Sequence, residues 1–202
     1  MSTVLWWFAR PWSFIWGPFA WEALGAAVIL FFGGLWLGIA AEKREVAWAT
    51  AWGRWLLGKL EQWLEERPRG LVYLTLMITL INSATVLLII AAAWAPPLSV
   101  LLIAVTGLNT GVMARRAGGD RAWIALLMPH SWIELPIVIA SSAVALQASA
   151  ATLGLEWFDI LADTVWARAF FLRATVPLLL GAAMLESIIM VFPGGREPGG
   201  DE

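Results

Sequence analysis

Between Gly70 and Ala114 the chain carries no charged residue. A run of roughly 45 uncharged, mostly apolar residues is long enough for two membrane-crossing helices of about 20 residues with a turn between them. A large soluble protein can bury one such helix, but not a chain made of them. Ala95-Pro96-Pro97 marks the turn, because proline ends a helix and restricts the residue before it. Spans are therefore expected at 71–94 and 98–113. The rest of the chain has the same character. Charged residues make up 14% of it, against about 25% in soluble domains, and hydrophobic residues make up 60%. The expected fold class is an all-α, polytopic membrane helix bundle with about five transmembrane spans, amphipathic interfacial helices and one proline-broken helix.

The other spans fall at 23–41, at 135–155 and at 170–192. Gly34 and Gly38 in the first form a G-x-x-x-G spacing, which lets another helix approach closely. Residues 1–21 hold Trp6, Trp7, Trp12, Trp16 and Trp21. Tryptophan prefers the headgroup region, so this segment reads as an interfacial arm. Residues 22–192 form a single helical membrane domain. The tail at 193–202 is rich in glycine and proline, has mixed charge, and is expected to be disordered.

Two stretches are polar enough to lie on the membrane surface. In the connector at 42–69, Trp48, Trp52, Trp55, Leu56 and Trp63 fall in one sector of a helix, while Arg54, Glu61 and Glu65 lie opposite. This is the pattern of a helix in the interface plane, with the tryptophans toward lipid. The same surface also suits a partner protein, and a solvated helical hairpin is a third reading. Residues 155–168 repeat the pattern more weakly. Residues 122–128 are apolar but too short to cross a bilayer, and Pro129 follows. A short re-entrant or broken helix is expected there, which needs cover from protein or a cavity.

Net charge is −2, so nothing points to nucleic acid as partner. Cysteine is absent, which removes disulfide and thiolate chemistry. No cofactor is implied. The ionisable and amide residues inside the apolar segments carry the remaining interest, since such groups are costly at membrane depth and need a partner or a function. They are His130, Glu134, Asn82, Asn109, Glu186 and Arg173. His130 is the only histidine and Glu134 lies four residues later, on the same helical face. A zinc site takes three or four ligands, more than one histidine and no cysteine readily supply, and no metal is expected. Ser131, Ser141 and Ser142 lack a nucleophile-elbow pattern, and no enzyme is expected. One reading has the six residues hydrogen-bonded to one another in the bundle interior, with Arg173 paired inward or snorkelling to the interface. The other makes Glu134 and Glu186 the groups that carry a proton or bind a solute along a polar pathway.

Residues 129–136 read Pro-His-Ser-Trp-Ile-Glu-Leu-Pro. This resembles the Pro-His-Gly-x-x-Glu-Leu-Pro signature of the stage II sporulation protein M family of integral membrane proteins. Three further elements resemble that family, in its order: Asn82 in Ile81-Asn82-Ser83, Gly107-Leu108-Asn109-Thr110-Gly111, and Gly181 to Glu186 followed by Pro193. Together they cover about residues 70–193. Ser131 stands where the family has glycine, and Ala143-Val144-Ala145-Leu146-Gln147 stands where a glycine-rich continuation is expected. The resemblance implies a membrane scaffold or subunit of an envelope-associated assembly rather than an enzyme, in the cell membrane and multi-pass. Homo-oligomerisation, most simply as a dimer, and partner envelope proteins fit that reading. The alternative is a small transporter or channel using the buried carboxylates.

Lys43, Arg44, Arg54, Lys59, Arg67 and Arg69 in the first connector, with Arg115, Arg116 and Arg121 later, put those two loops in the cytoplasm by the positive-inside rule. The family resemblance suggests the opposite orientation, so orientation stays open.

Overall fold

The computed structural model describes residues 21–66, 70–122, 128–153 and 171–191. All the regular elements among them are helical. In chain order they are α1 (Trp21–Lys43), α2 (Ala47–Glu66), α3 (Leu71–Ala91), α4 (Pro96–Gly118), α5 (Ser131–Thr152) and α6 (Val176–Val191). Short 3₁₀ turns follow α3 at Ala92–Trp94 and α4 at Gly119–Arg121, and a π-helical turn at Phe171–Thr175 leads into α6. Five helices are long and apolar enough to cross a membrane: Trp21–Lys43, Leu71–Trp94, Pro96–Arg116, Ser131–Thr152 and Phe171–Ile189. The fold is that of an all-α, multi-pass membrane protein. The arm at 1–20, the break at 123–127, the amphipathic stretch at 155–168 and the tail at 193–202 lie outside the described residues.

Large apolar side chains cover the outside. Ile29, Trp36, Val72, Leu76, Leu80, Leu88 and Leu101 are all exposed, as suits helices solvated by lipid. Without a hydrophobic drive between helices in lipid, close backbone packing and polar contacts must hold the bundle together. The inside is accordingly small-residue rich. Ala27, Ala143, Ala145, Ala174, Ala182 and Ala183 are all fully buried.

The tightest seam joins α1 to α4. Gly34 and Gly38 on α1 meet Gly107 and Gly111 on α4 in a reciprocal lock. A Cβ at Gly34 would strike the carbonyl of Ala104, and one at Gly38 that of Leu108. In return, a Cβ at Gly107 would strike the carbonyl of Phe31, and one at Gly111 that of Leu35. The glycine hydrogens therefore point at carbonyl oxygens across the seam, the geometry of Cα–H···O contacts. The pairing in ascending order on both helices, 34 with 104 and 38 with 108, makes α1 and α4 parallel. The G-x-x-x-G spacing read from the sequence is thus used within the chain.

α5 is the central helix and touches α1, α3, α4 and α6. It runs parallel to α3, because Asn82 pairs with Glu134 near one end and the Ala93 carbonyl with Ser149 near the other. It runs antiparallel to α4, whose Ser99 bonds Ser149 at 2.9 Å. It is also antiparallel to α6, since Val144 and Ala174 share a cluster at one level while Glu134 and Glu186 meet at the other. The buried hydroxyls of Ser99 and Ser149 tie the Ala92–Pro97 turn to the end of α5. Ser149 bonds Ser99 and the Ala93 carbonyl (3.0 Å), and Ser99 also reaches the Pro96 carbonyl (2.9 Å). The proline pair behaves as expected, with Pro96 opening α4 at a position that needs no N–H.

At the other end, α1 turns into α2 through a Schellman ending. Glu45 N–H bonds Glu42 O, Val46 N–H bonds Ala41 O, and Glu45 adopts φ +52°. Glu42 then accepts from two guanidiniums: Arg116 at 2.9 Å from the end of α4, and Arg54 at 3.3 Å from α2. One carboxylate so joins three helices. α2 docks by Thr50 and Gly53, both buried, and a Cβ at Gly53 would meet Val112 at 3.0 Å and Asn109 Oδ1 at 3.5 Å. Trp48 (84% exposed) and Trp55 (52%) point away from the bundle. The side chains of Trp52 and Trp63 lie outside the described residues.

Candidate functional site

The residues singled out in the sequence separate into a centre and three outliers. Asn82 sits midway along α3, one turn before Val86, on the face that meets α5. Its Nδ2 donates to Glu134 Oε1 at 2.7 Å. Glu134 stands in the first turn of α5. Its position follows from the break at Pro129, since the helix begins only after it. His130 is the N-cap, and its carbonyl accepts from Ile133 N and Glu134 N, both at 3.0 Å. Pro136 follows inside the helix; lacking an N–H, it leaves the Trp132 carbonyl without its intrahelical partner. Glu186 comes from α6, close enough to interact electrostatically with Glu134. Three spans thus bring one amide and two carboxylates together. Both carboxylates are largely withdrawn from solvent.

His130 lies at the edge of this centre rather than in its hydrogen bonding. The imidazole is half-buried, and burial holds it below its ordinary pKa. Its Nδ1 is buried and has no hydrogen-bond partner among the described residues. Asn109 lies elsewhere, with its Oδ1 beside Gly53 of α2. Arg173 is exposed in the π-helical turn and makes no ion pair among the described residues. It precedes Glu186 by 13 residues, about 20 Å along a helix at 1.5 Å per residue. The inward pairing considered for Arg173 is therefore not formed with either carboxylate.

The chemistry of the centre follows from that inventory. One Glu134 oxygen accepts from an amide, and no guanidinium or ammonium among the described residues faces either carboxylate. Two like charges in a poorly solvated space repel strongly. A carboxyl group in such a space is a place where a proton or a small cation can reside. Among the described residues no three His, Asp or Glu side chains come together in a group able to hold a metal ion.

Behind the centre, one turn deeper, lies a buried apolar cluster of Val86 from α3, Ile137, Ala140 and Val144 from α5, and Ala174 and Leu179 from the α6 side. Ser141 and Thr175, next in sequence to Ala140 and Ala174 of this cluster, have buried hydroxyls with no partner among the described residues. The sequence weighs Ser141 only as a nucleophile and gives no role to Thr175, because a lone serine or threonine in an apolar helix gives no signal of which neighbour it will meet. It also passed over the Ser99–Ser149 bond and the Glu42 junction for the same reason. Compared with protein-family models, with curated proteins and with solved structures, the chain finds no match.

Proposed function

We propose that the chain is an integral membrane subunit whose working part is the Asn82–Glu134–Glu186 centre, and that this centre takes up a proton or a small cation within the membrane. The observation that carries the reading is the nearness of two carboxylates from different helices, with one amide and no basic partner among the described residues. A purely structural network would be expected to bring a compensating charge, and the candidate, Arg173, lies far along α6. Glu134 and Glu186 are the binding groups in this reading, Asn82 orients Glu134, and half-exposed His130 marks the approach. The transporter or channel reading of the sequence rests on these same residues.

The scaffold reading is favoured by a different observation. Helix α2 is clamped to the bundle end through Glu42 while Trp48 and Trp55 face outward, so the surface helix has a fixed position and a free aromatic face. That face suits the lipid headgroup region or an envelope partner. The resemblance to the stage II sporulation protein M family supports it too, since three of its elements, at Asn82, Glu134 and Glu186, converge. In both readings the protein resides in the cell membrane. Self-association remains part of the scaffold proposal, but its glycine-marked surfaces at 34, 38, 107 and 111 are spent inside the chain.

Proteoliposomes with a trapped pH-sensitive dye separate the two. Glu134→Gln keeps the shape and the bond to Asn82 while removing the charge. The carboxylate reading expects a folded protein that has lost proton or cation movement. Normal movement in Glu134→Gln defeats it. If the native protein moves no ion and Glu134→Leu only lowers stability, the scaffold reading stands alone.

A further inference from the structure

The unpartnered hydroxyls of Ser141 and Thr175 lie in line with the two carboxylates. Ser141 follows Glu134 by seven residues, which returns it to the same face of α5 about 10 Å along the axis. Thr175 precedes Glu186 by 11 residues, which returns it to the same side of α6 at about 16 Å. Because α5 and α6 are antiparallel, both hydroxyls lie on the same side of the centre, deeper in the bundle. Each residue is 0% exposed, and neither Oγ nor Oγ1 has a partner among the described residues. A serine or threonine in a membrane helix ordinarily donates to a carbonyl one turn back. Thr75, Thr79, Thr85, Thr106, Thr110 and Ser187 all do so here. Ser141 and Thr175 depart from that habit, as do Ser83 and Ser142, and of these four Ser141 and Thr175 are the two in line with the carboxylates on α5 and α6. Buried polar groups left by the protein are the usual seats of internal water.

Ile137 stands between Glu134 and Ser141 along α5, Leu179 stands between Glu186 and Thr175 along α6, and Val86 of α3 is buried with both in one cluster. They close the space behind the carboxylates. On the other side the half-exposed His130 leaves an approach.

We propose that the α3–α5–α6 interface is a proton path in two stations, the Glu134–Glu186 pair on the His130 side and a hydrated Ser141–Thr175 pair beyond, separated by a removable plug of Val86, Ile137 and Leu179. This rests on the carboxylate reading above. The transported species is the proton, because a plug of three aliphatic side chains has room to admit a file of water on a small displacement, but not a hydrated cation or a solute. When water enters, the carboxylic acid of the pair releases its proton to that water and remains as carboxylate. A proton arriving from the His130 side reloads it. Among the described residues, the titratable group that acts on Glu134 is Glu186 from α6; α3 contributes the neutral Asn82.

The test enlarges the plug space in the full chain. Leu179→Ala, reconstituted in liposomes with a trapped pH dye and a valinomycin-clamped potential, is expected to raise proton flux at least ten-fold over the native protein. Val86→Ala, a smaller truncation, is expected to raise it less, and serves if Leu179→Ala fails to elute as a folded species. Both stations should be needed, so adding Glu134→Gln, or Ser141→Ala with Thr175→Val, removes the added flux and takes it below the native level. Folded plug variants with no added flux overturn the proposal. Flux lost with Glu134→Gln but untouched by the hydroxyl variants overturns the second station and leaves the carboxylate reading intact. Flux that survives Glu134→Gln overturns the carboxylate reading and the two-station path with it.

Discussion

The α1–α4 seam and the α3–α5–α6 groove are built on opposite principles. Along the seam, four glycines bring two backbones into contact over two turns, and each absent Cβ is matched by a carbonyl oxygen. Nothing polar in a side chain is needed. In the groove, the helices meet through Ile137, Leu179 and Val86, Asn82 pairs with Glu134, and the hydroxyls of Ser141 and Thr175 have no partner among the described residues. A membrane protein built for stability alone would extend the first arrangement. The difference teaches that the seam serves as the frame, while the groove gathers the polar side chains of three spans. Small-residue contact makes a frame stiff, because a backbone-to-backbone seam has no rotamers to rearrange.

The hardest blow to this comparison is a side chain in the seam. Gly38→Leu or Gly107→Leu drives carbons into the opposite carbonyl, and overpacking of a tight contact costs about 1–3 kcal/mol, occasionally more. The expected result is loss of a monodisperse folded species in detergent, or a large drop in melting temperature. A Gly107→Leu protein that melts like the native one would show that the helices are not in contact there.

The junction at Glu42 should matter less. Glu42→Ala leaves two guanidiniums without their shared acceptor, and charge-assisted hydrogen bonds contribute about 1.5–3 kcal/mol each at best, less at partly exposed sites. A stability loss of about 1–2 kcal/mol is expected, together with faster amide exchange across α2 but not across the α1–α4 seam. Uniform exchange throughout would mean that α2 is not a separately held element.

In the groove, Asn82→Ala removes the donor to Glu134. Interhelical polar bonds in membranes average only about 0.6 kcal/mol, so a thermal shift near the limit of detection is expected, well below that of Gly38→Leu. The ordering of these three variants, seam above junction above groove, is what the comparison asserts, and differential scanning of the purified variants checks it.

Glu45→Gly works in the other direction. The left-handed conformation costs an L side chain about 1–2 kcal/mol, partly offset by the backbone entropy that glycine loses on folding. A net gain of about 0.5 kcal/mol is expected in thermal unfolding.

The smallest effect is electrostatic. Asp120 accepts from Arg115 at 2.7 Å, and this bond with the Arg115 charge holds its carboxyl below the ordinary value. The folded state therefore binds that proton less readily than the unfolded chain. The contribution is present above the ordinary carboxylate value of about 3.8 and is lost as pH falls through the lower folded value. Asp120→Asn should remove only that acid-limb slope. An unchanged slope would mean that the pair does not persist in solution.

How much of this was legible beforehand depends on whether the information is carried along the chain or across it. The uncharged run and the proline pair located the turn before α4 correctly, because both signals are local. The G-x-x-x-G spacing announced a close contact but not with which helix, since glycine names no partner. Convergence of Asn82, Glu134 and Glu186 could be anticipated from the cost of polar groups in apolar segments. The same argument misplaced Asn109, which is half-buried beside Gly53 of α2, a contact that depends on how the surface helix docks. Arg173 was legible and overread: thirteen residues of helix rise already placed it out of reach of Glu186. Ser141 and Thr175 were not legible at all, because an unpartnered hydroxyl exists only relative to the packing around it.

The central claim is that the Glu134–Glu186 pair takes up a proton inside the membrane. Infrared difference spectroscopy of the reconstituted protein through a pH titration reads the carboxylic acid C=O stretch directly. The account predicts a protonated carboxyl band in the native protein, shifted by deuteration, that is lost or displaced in both Glu134→Gln and Glu186→Gln. A native spectrum in which no carboxyl band responds to either substitution, with the protein folded throughout, would contradict it.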